Sequence, residues 1–542
     1  MDPTHHGHPV AFALLLTTAL VVCLGAATLV GATPASAGPL AGPEAGPLTG
    51  PPGSADELLA LLAVQQAQLT ASDGAASDWF GNSVAISGNT AVVGNPQHDV
   101  GGNADQGVAE VFTRSGTTWS HQWWLIASDG EASDLLGCSV ALVGDTAVVG
   151  APCDDAGIVT NQGSAYVFVR SGTNWSQQQK LVASDGNASD FFGYSVALSG
   201  ETALVGARWD DVDINSQQGS AYVFVRSGTT WSEQQKLTAD DGAADDDFGW
   251  SVAISGGTAL VGAYHDDVSG NTDQGSAYVF VRSGGVWTQQ QHLTATDGAA
   301  SDNFGQSVAL SVNTAVVGAH ADDVGAMTDQ GSAYVFTRSG TNWSEQQTLV
   351  ASDGASDDWF GVSVTLVGDS AIVGAPSDDV GSNLGEGSAY VFARSGTTWS
   401  QQAQLNSSDG AAHDQFGYSV ALSGASALVG ARYKDSPNAD QGSAYVFTGV
   451  VEKPGKPVAK SPKGKISSRT PTFKWAAAAR AASYEVCIYK GSKLIKRKTG
   501  ITKTSWKCTK RLLRGARLTW KVRARNAAGT GPWSNKPWFK VR

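Results

Sequence analysis

Between residues 64 and 447 short apolar runs alternate with polar, turn-forming clusters, and no long stretch carries helical spacing of apolar residues. One segment, Ser184–Leu237, shows the pattern. Tyr194–Leu198 is a first apolar run, which turns through Ser199-Gly200-Glu201-Thr202 into a second, Ala203–Ala207. A polar loop from Arg208 to Gln218 leads to Gly219–Arg226, where Ala221, Val223 and Val225 alternate with Tyr222 and Phe224. A Ser-Gly-Thr-Thr turn then leads to Trp231–Leu237. Runs of this length, bounded by Gly, Ser, Thr and Asp, predict four β-strands. The Ala- and Val-rich first pair suits strands buried on both faces, and the alternation of the second pair suits sheet faces packed on neighbouring sheets.

The pattern recurs at a strict spacing of 56 residues. An Asp-Gly pair stands at Asp73, Asp129, Asp185, Asp241, Asp297, Asp353 and Asp409, and a Phe-Gly or Leu-Gly glycine follows at Gly81, Gly137, Gly193, Gly249, Gly305, Gly361 and Gly417. Seven four-stranded copies describe a seven-bladed β-propeller. The last copy leaves the pattern at Thr448 without a fourth strand, whereas Val64–Leu69 precedes the first Asp-Gly and matches a fourth strand. The expectation is therefore an all-β fold: a seven-bladed propeller over 56–450, closed by its N-terminal strand, which removes exposed sheet edges.

Phe192-Gly193-Tyr194-Ser195-Val196, Leu204-Val205-Gly206-Ala207 and the later Gly219-Ser220-Ala221-Tyr222-Val223-Phe224 resemble the FG-GAP repeat of integrin α-subunit propellers and of many exported bacterial proteins. The resemblance covers roughly residues 64–447. It implies a seven-bladed propeller, adhesion or extracellular ligand binding, and often calcium. The integrin-type D-x-D-x-D-G loop between the first two strands is missing: that position holds Ser87-Gly88-Asn89-Thr90, Val143-Gly144-Asp145-Thr146 or Ser255-Gly256-Gly257-Thr258. Such turns cannot supply the roughly six to eight oxygens that calcium takes.

Acid is concentrated in two other loops, which should share one face of the disc. The blade-to-blade loop carries Asp73 and Asp78, and likewise Asp185 and Asp190, Asp241 and Asp246, Asp297 and Asp302. The loop between the second and third strands carries Asp99, Asp155, Asp211, Asp267, Asp323, Asp379 and Asp435. Three readings stay open: shallow calcium sites, an acidic face for a basic partner, or aspartates that cap their own turns. Positions that differ between copies bear more on a specific ligand. Tyr194, Trp250 and Tyr418 follow the Phe-Gly pair, and Arg208, Tyr264, His320 and Arg432 follow the Val-Gly-Ala step, with Trp209 and His265 next to them. All should gather at the mouth of the central channel. The resemblance implies that aromatic residues there clamp a basic side chain of a partner subunit, a cation–π role that Tyr194, Trp250, Tyr264 and Tyr418 fit; filling a wide channel is the alternative.

Residues 453–542 hold 25 of the 36 Lys and Arg and one acid, Glu485, a charge of +24 against −37 for the rest of the chain. Pro454-Gly455-Lys456-Pro457 marks a linker over 451–465. Thr470–Trp475, Ala482–Val486, Leu518–Asn526 and Gly529–Ser534 resemble a fibronectin type III domain, an immunoglobulin-like β-sandwich over 466–542. A basic module of this kind suits an anionic wall polymer or other anionic surface, or the acidic propeller face, or acts as a spacer. No motif argues specifically for nucleic acid.

At the other end, Val10–Gly31 is the one strongly apolar run, and Ala35-Ser36-Ala37 suits signal-peptide cleavage after Ala37. A retained anchor is the alternative. Residues 38–55 form a Pro/Gly tether. Export permits disulfides, and the four cysteines beyond the signal peptide predict two local pairs, Cys138–Cys153 and Cys487–Cys508. Six histidines after the tether are scattered over different repeat positions, with no H-E-x-x-H or G-x-S-x-G pattern. Only His265 and His320, with Arg208 and Arg432, are expected to share a surface. The sequence thus favours an exported, monomeric, non-catalytic binding or adhesion protein for an extracellular protein or glycan. A propeller hydrolase or lyase acting on an extracellular polymer is the alternative.

Overall fold

The computed structural model describes residues 63–450, 456–478, 481, 483–526 and 529–542. The expected signal peptide, the tether and residues 451–455 of the linker lie outside the described residues. Among the described residues every regular element is a strand, and no helix is long and apolar enough to cross a membrane.

Each of the seven repeats forms one four-stranded antiparallel sheet. Blade 3 pairs Phe192–Ser199, Thr202–Ala207, Ser220–Ser227 and Thr230–Leu237 in that order. Blade 7 pairs Phe416–Ser423, Ser426–Ala431 and Ser443–Thr448, and its outer strand is the N-terminal Val64–Leu69, with Leu69 opposite Ala444.

Burial follows residue size. The second strand of every blade is buried at all positions, because Ala203, Val205 and Gly206 leave room for a sheet on either side. The third strand is buried through Phe224. The first strand departs from the expectation of burial on both faces: its middle is half exposed, because it lines the central channel. The hydrophobic core is distributed between blades. Val148, Val167 and Leu181 of blade 2 pack with Phe192, Val205, Phe224 and Trp231 of blade 3, and Leu428, Val446 and Leu69 of blade 7 pack likewise with Phe80, Val93 and Phe112 of blade 1.

Two sets of polar contacts accompany these interfaces, one at all seven and one at the four where Gln179, Gln235, Gln291 and Gln347 stand. Ser195 Oγ donates to the carbonyl of Gly249 in the next blade at 2.7 Å. The same bond recurs from Ser83, Ser139, Ser251, Ser307 and Ser363, and from Ser419 of blade 7 to Gly81 of blade 1 at 2.8 Å. Farther out, the Gln179 side chain bridges the backbone of Trp231, donating to its carbonyl at 2.7 Å and accepting from its N–H at 2.8 Å. This side-chain amide replaces a ladder partner that outer strands lack.

Residues 456–542 form a separate β domain. A three-stranded sheet (Val458–Ser461, Thr472–Ala476, Ser505–Lys507) faces a larger one built on Ser483–Lys490, Lys493–Ile501, Arg517–Asn526 and Trp538–Val541. Phe473, Trp475, Tyr484, Trp520 and Phe539 form its core.

The cysteine pairing requires correction, since all four are free thiols. Strand parity separates Cys487 from Cys508. Val486 and Ile488 point into the core with Cys508, whereas Cys487 lies on the opposite face, its Sγ 3.7 Å from Glu485 Oε1. Cys138 and Cys153 flank the first hairpin of blade 2 unbonded. Burial foremost pushes their thiols up to about 12 and about 11, which keeps them protonated and unreactive.

Candidate binding site at the channel mouth

The channel is lined by the first strands of all seven blades, through triplets such as Tyr194-Ser195-Val196 and Tyr418-Ser419-Val420, around a cavity of about 240 Å³. At its mouth the loops turn sharply. The residue before each Phe-Gly or Leu-Gly pair has a left-handed backbone: Trp79 (φ 62°), Leu135 (58°), Phe191 (54°), Asp247 (56°), Asn303 (57°), Trp359 (58°) and Gln415 (55°). The turn requires it, since the N–H of Phe191 reaches the Asn161 carbonyl of blade 2 and its own carbonyl accepts from Tyr194 N–H at 3.1 Å. Asn and Asp tolerate this region, whereas bulky side chains are strained there, at a cost of about 1 kcal/mol or more. Trp79, Phe191 and Trp359 are nonetheless aromatic. The sequence reading passed over this position, although variation between copies marked it as it marked Tyr194 and Arg208.

These side chains meet the ones the sequence singled out. The Arg208 guanidinium lies 4.1 Å from the ring centroid of Tyr194, 4.7 Å from Trp250 and 4.6 Å from Trp209. Arg432 lies 3.5 Å from Tyr418, 4.6 Å from Tyr433 and 5.5 Å from Trp79. The stack continues from Trp250 to Tyr264 (4.1 Å) and from Tyr264 to His265 (3.7 Å), whose Nδ1 is 3.4 Å from Asp247 Oδ2. His320 sits 6.1 Å from Trp359 with Nδ1 unpartnered, and burial pushes its imidazole down to about 4, so it is neutral at neutral pH. Where the resemblance implies a partner's basic side chain, the chain's own Arg208 and Arg432 stack on Tyr194, Trp250 and Tyr418.

The carboxylates are placed differently. Asp78, Asp190, Asp246 and Asp302 are buried, and each accepts the backbone N–H three residues earlier, at 2.6–2.8 Å. Desolvation pushes Asp190 and Asp246 up to about 7 and Asp302 up to about 6. Asp185 accepts from Tyr222 and Lys236, which together outweigh the desolvation and hold it below the usual range. Asp241 is 3.3 Å from His292 Nδ1, and Asp73 is 3.8 Å from His98 Nε2. Asp297 contributes to raising the Tyr334 phenol, which burial dominates. Calcium fits this donor set poorly. The inner carboxylates are committed to their own turns, Lys180 and Lys236 fill the space between aspartates of blades 2 and 3, and Lys434 sits among those of blade 7. Among the described residues no three His, Cys, Asp or Glu side chains converge as metal ligands.

The glycines of the repeat explain its sequence signature. A Cβ on Gly206 would stand 2.0 Å from the Gly249 carbonyl oxygen, so the Val-Gly step of one blade is the seat for the Phe-Gly turn of the next. A family model described as FG-GAP repeat matches residues 63–112, 119–168, 175–224, 231–280, 287–336, 343–392 and 399–447. The chain belongs to the FG-GAP repeat family. No curated protein matches it.

Set against its sibling FG-GAP repeats, blade 1 is the outlier, and the histidine-centred sequence reading missed it. Where blade 2 has Ala151, Asp154, Tyr166, Gln177 and Lys180, blade 1 has Asn95, His98, Glu110, His121 and Trp124. In blade 2 the Tyr166 hydroxyl donates to Asp154, and Lys180 closes the cluster. In blade 1 Glu110 is wholly buried, both carboxyl oxygens lack a hydrogen bond, and His121 Nε2 stands 3.5 Å from Oε2. Burial foremost, with the Asp73 charge, pushes Glu110 up to about 8. The signal was legible as the one copy in which the third-strand Tyr becomes Glu.

Proposed function

We propose that this FG-GAP repeat protein is an exported, non-catalytic binding protein that recognises an extracellular protein on the loop face around the channel mouth. One observation carries the reading. Many of the residues that differ between blades, among them Trp79, Phe191, Arg208, Trp209, Trp250, Trp359 and Arg432, belong to the channel-mouth loops and the strand starts beside them, and the glycines and serines repeated in every blade are scaffold. Trp, Tyr and Arg are the residues that dominate binding energy at protein interfaces. The same loops carry Ile158 and Ile214 at 98% and 97% exposure, in adjacent blades, where blades 1 and 4 have Gly102 and Gly270. Two fully solvated isoleucines contribute nothing to the fold, which favours a protein over a glycan. Export rests on the apolar N-terminal run and its Ala35-Ser36-Ala37 ending. Integrin-like adhesion is the family-level form of the same proposal.

The test is binding of the full chain to arrays of extracellular proteins and of glycans, beside the Ile158→Asp/Ile214→Asp variant. Specific protein binding that the variant loses, with an unchanged melting temperature, is the expected result. Binding that the variant retains, or turnover of an extracellular polysaccharide, overturns it.

We read the C-terminal domain as fibronectin type III-like and as a second, charge-driven contact. Lys521 and Arg523 lie 4.0 and 4.4 Å from the Trp533 ring, and Lys536 lies 4.9 Å from Tyr489. Arg497, Arg523 and Arg525 surround the single Glu485, leaving an excess of positive charge on that sheet face. Binding of the chain to an anionic wall polymer such as teichoic acid is expected to fall steeply between about 0.1 and about 1 M salt, as screening shortens to about 3 Å. Binding indifferent to salt, measured on an immobilised polymer, removes this role.

A further inference from the structure

The geometry points to a carboxylate receptor at the channel mouth, in which Arg208 and Arg432 together grip the acidic tip of a protein loop whose flanks are basic. The inference rests on the proposed binding face and adds the chemistry of the group that enters it. Arg208 belongs to blade 3 and Arg432 to blade 7, and the rings they stack on, Tyr194 and Trp250 for the first and Tyr418 for the second, line the same channel cavity. Both guanidiniums therefore border the channel mouth.

Neither charge is neutralised. Among the described residues no carboxylate lies within ion-pair distance of Arg208 or Arg432, whereas Arg170, Arg226 and Arg394 on the other face each pair with Asp145, Glu201 or Asp369. Arg208 Nε is buried without a partner, and Arg432 Nε donates to Gln415 Oε1 at 3.0 Å. Beyond these Nε atoms, no hydrogen bond or ion pair of the terminal guanidinium nitrogens of Arg208 or Arg432 is formed with a described residue, which leaves them as the donor set. A planar fork of N–H groups, already ordered, matches a carboxylate.

The surroundings select the occupant. Sugar rings bind by lying on aromatic faces, and one face of each of Tyr194, Trp250 and Tyr418 already carries an arginine. A carboxylate presented by a protein needs only the guanidinium edges. The outer loops bear exposed aspartates, among them Asp155, Asp211 and Asp267, whose Oδ1 atoms cap their own loops. A uniformly acidic partner is repelled by that rim. The complementary partner carries acid at the centre and Lys or Arg around it, a pattern of attraction and repulsion that confers specificity.

The probes are two disulfide-cyclised peptides, Cys-Lys-Gly-Glu-Gly-Lys-Cys and the same peptide with Gln for Glu, titrated into the full chain by tryptophan fluorescence and calorimetry. The Glu peptide is expected to bind about tenfold to a hundredfold more tightly, the range for hydrogen bonds to a charged group. Arg208→Gln and Arg432→Gln should each remove that preference. Arg208→Lys keeps a cation between the rings and controls for folding; it should reduce the preference at an unchanged melting temperature. Equal binding of the two peptides, binding of neither, or a preference that survives both Gln variants overturns the inference. Arginine-dependent binding of oligogalacturonate without the Glu peptide assigns the receptor to an acidic sugar and overturns the protein partner. Specific protein binding that depends on Ile158 and Ile214 but shows no Glu preference leaves the binding face standing and removes only the carboxylate receptor.

Discussion

Raising the pH from about 5 to about 9 is expected to destabilise the propeller through blade 1, and Glu110→Gln is expected to abolish most of that loss. Glu110 titrates near 4.5 when unfolded and near 8 in the folded blade, so between those values the folded state binds the extra proton. Stability attributable to this group is intact below the lower value. It falls by about 1.4 kcal/mol per pH unit above it, and the full loss, about 5 kcal/mol, is reached once the carboxyl ionises in place. Desolvation is the main cause, the Asp73 charge adds to it, and His98 offsets part of it. His98 acts in the same direction. Its hydrogen bond to Asp78 raises its pKa, and the stability this provides is lost as the pH rises through the folded value. His121 opposes both on the acid side, because burial holds it neutral and its protonation at low pH costs stability. Urea midpoints measured across this range for the wild type and Glu110→Gln should diverge with rising pH, the variant being the more stable above about pH 7. Parallel profiles would show that water or a local opening hydrates the carboxyl at little cost.

That expectation also shows where the sequence could be read and where it could not. The period, the four runs per copy and the displaced outer strand located every blade, because strand alternation and turn chemistry are local and repeat seven times. The channel-mouth positions were legible by a different rule, variation against a fixed background, and that rule applies equally to Glu110 and Trp359. What stayed hidden depends on distance between blades. The sequence cannot show that Arg208 folds back onto Tyr194 and Trp250, since blades 3 and 4 supply different members of that cluster. It cannot show the left-handed backbone of Phe191, since the carbonyl that imposes it belongs to blade 2. Cys487 and Cys508 were paired on proximity in the chain, and one step of strand parity separates them.

Gly206→Ala is expected to destabilise the propeller by about 3 kcal/mol or more, and Gly228→Ala by only about 1 kcal/mol. Backbone preference alone predicts the opposite order. Gly228 has φ +65°, where Ala is strained, whereas Gly206 lies in an ordinary strand, where Ala is the better residue. Packing reverses the order. Around Gly228 nothing lies within 4 Å of an added Cβ, so only the left-handed penalty applies. At Gly206 the Cβ would meet the Gly249 carbonyl oxygen at 2.0 Å and Ser195 Oγ at 2.4 Å. The first of these is backbone of the next blade, held by the Phe248-Gly249 turn, and it cannot yield without parting the two sheets. Moving Ser195 also forfeits its 2.7 Å hydrogen bond to Gly249, worth about a further 1 kcal/mol. Each of the seven interfaces carries the same seat, so Gly94→Ala and Gly430→Ala should match Gly206→Ala in a urea titration. The Gly430 case is the most informative, because its contact is the Gly81 carbonyl of blade 1, also at 2.0 Å. A loss there as large as at Gly206 would mean that the seventh blade depends on the first as each other blade depends on its neighbour. A loss near that of Gly228→Ala would mean that this interface opens independently of the other six.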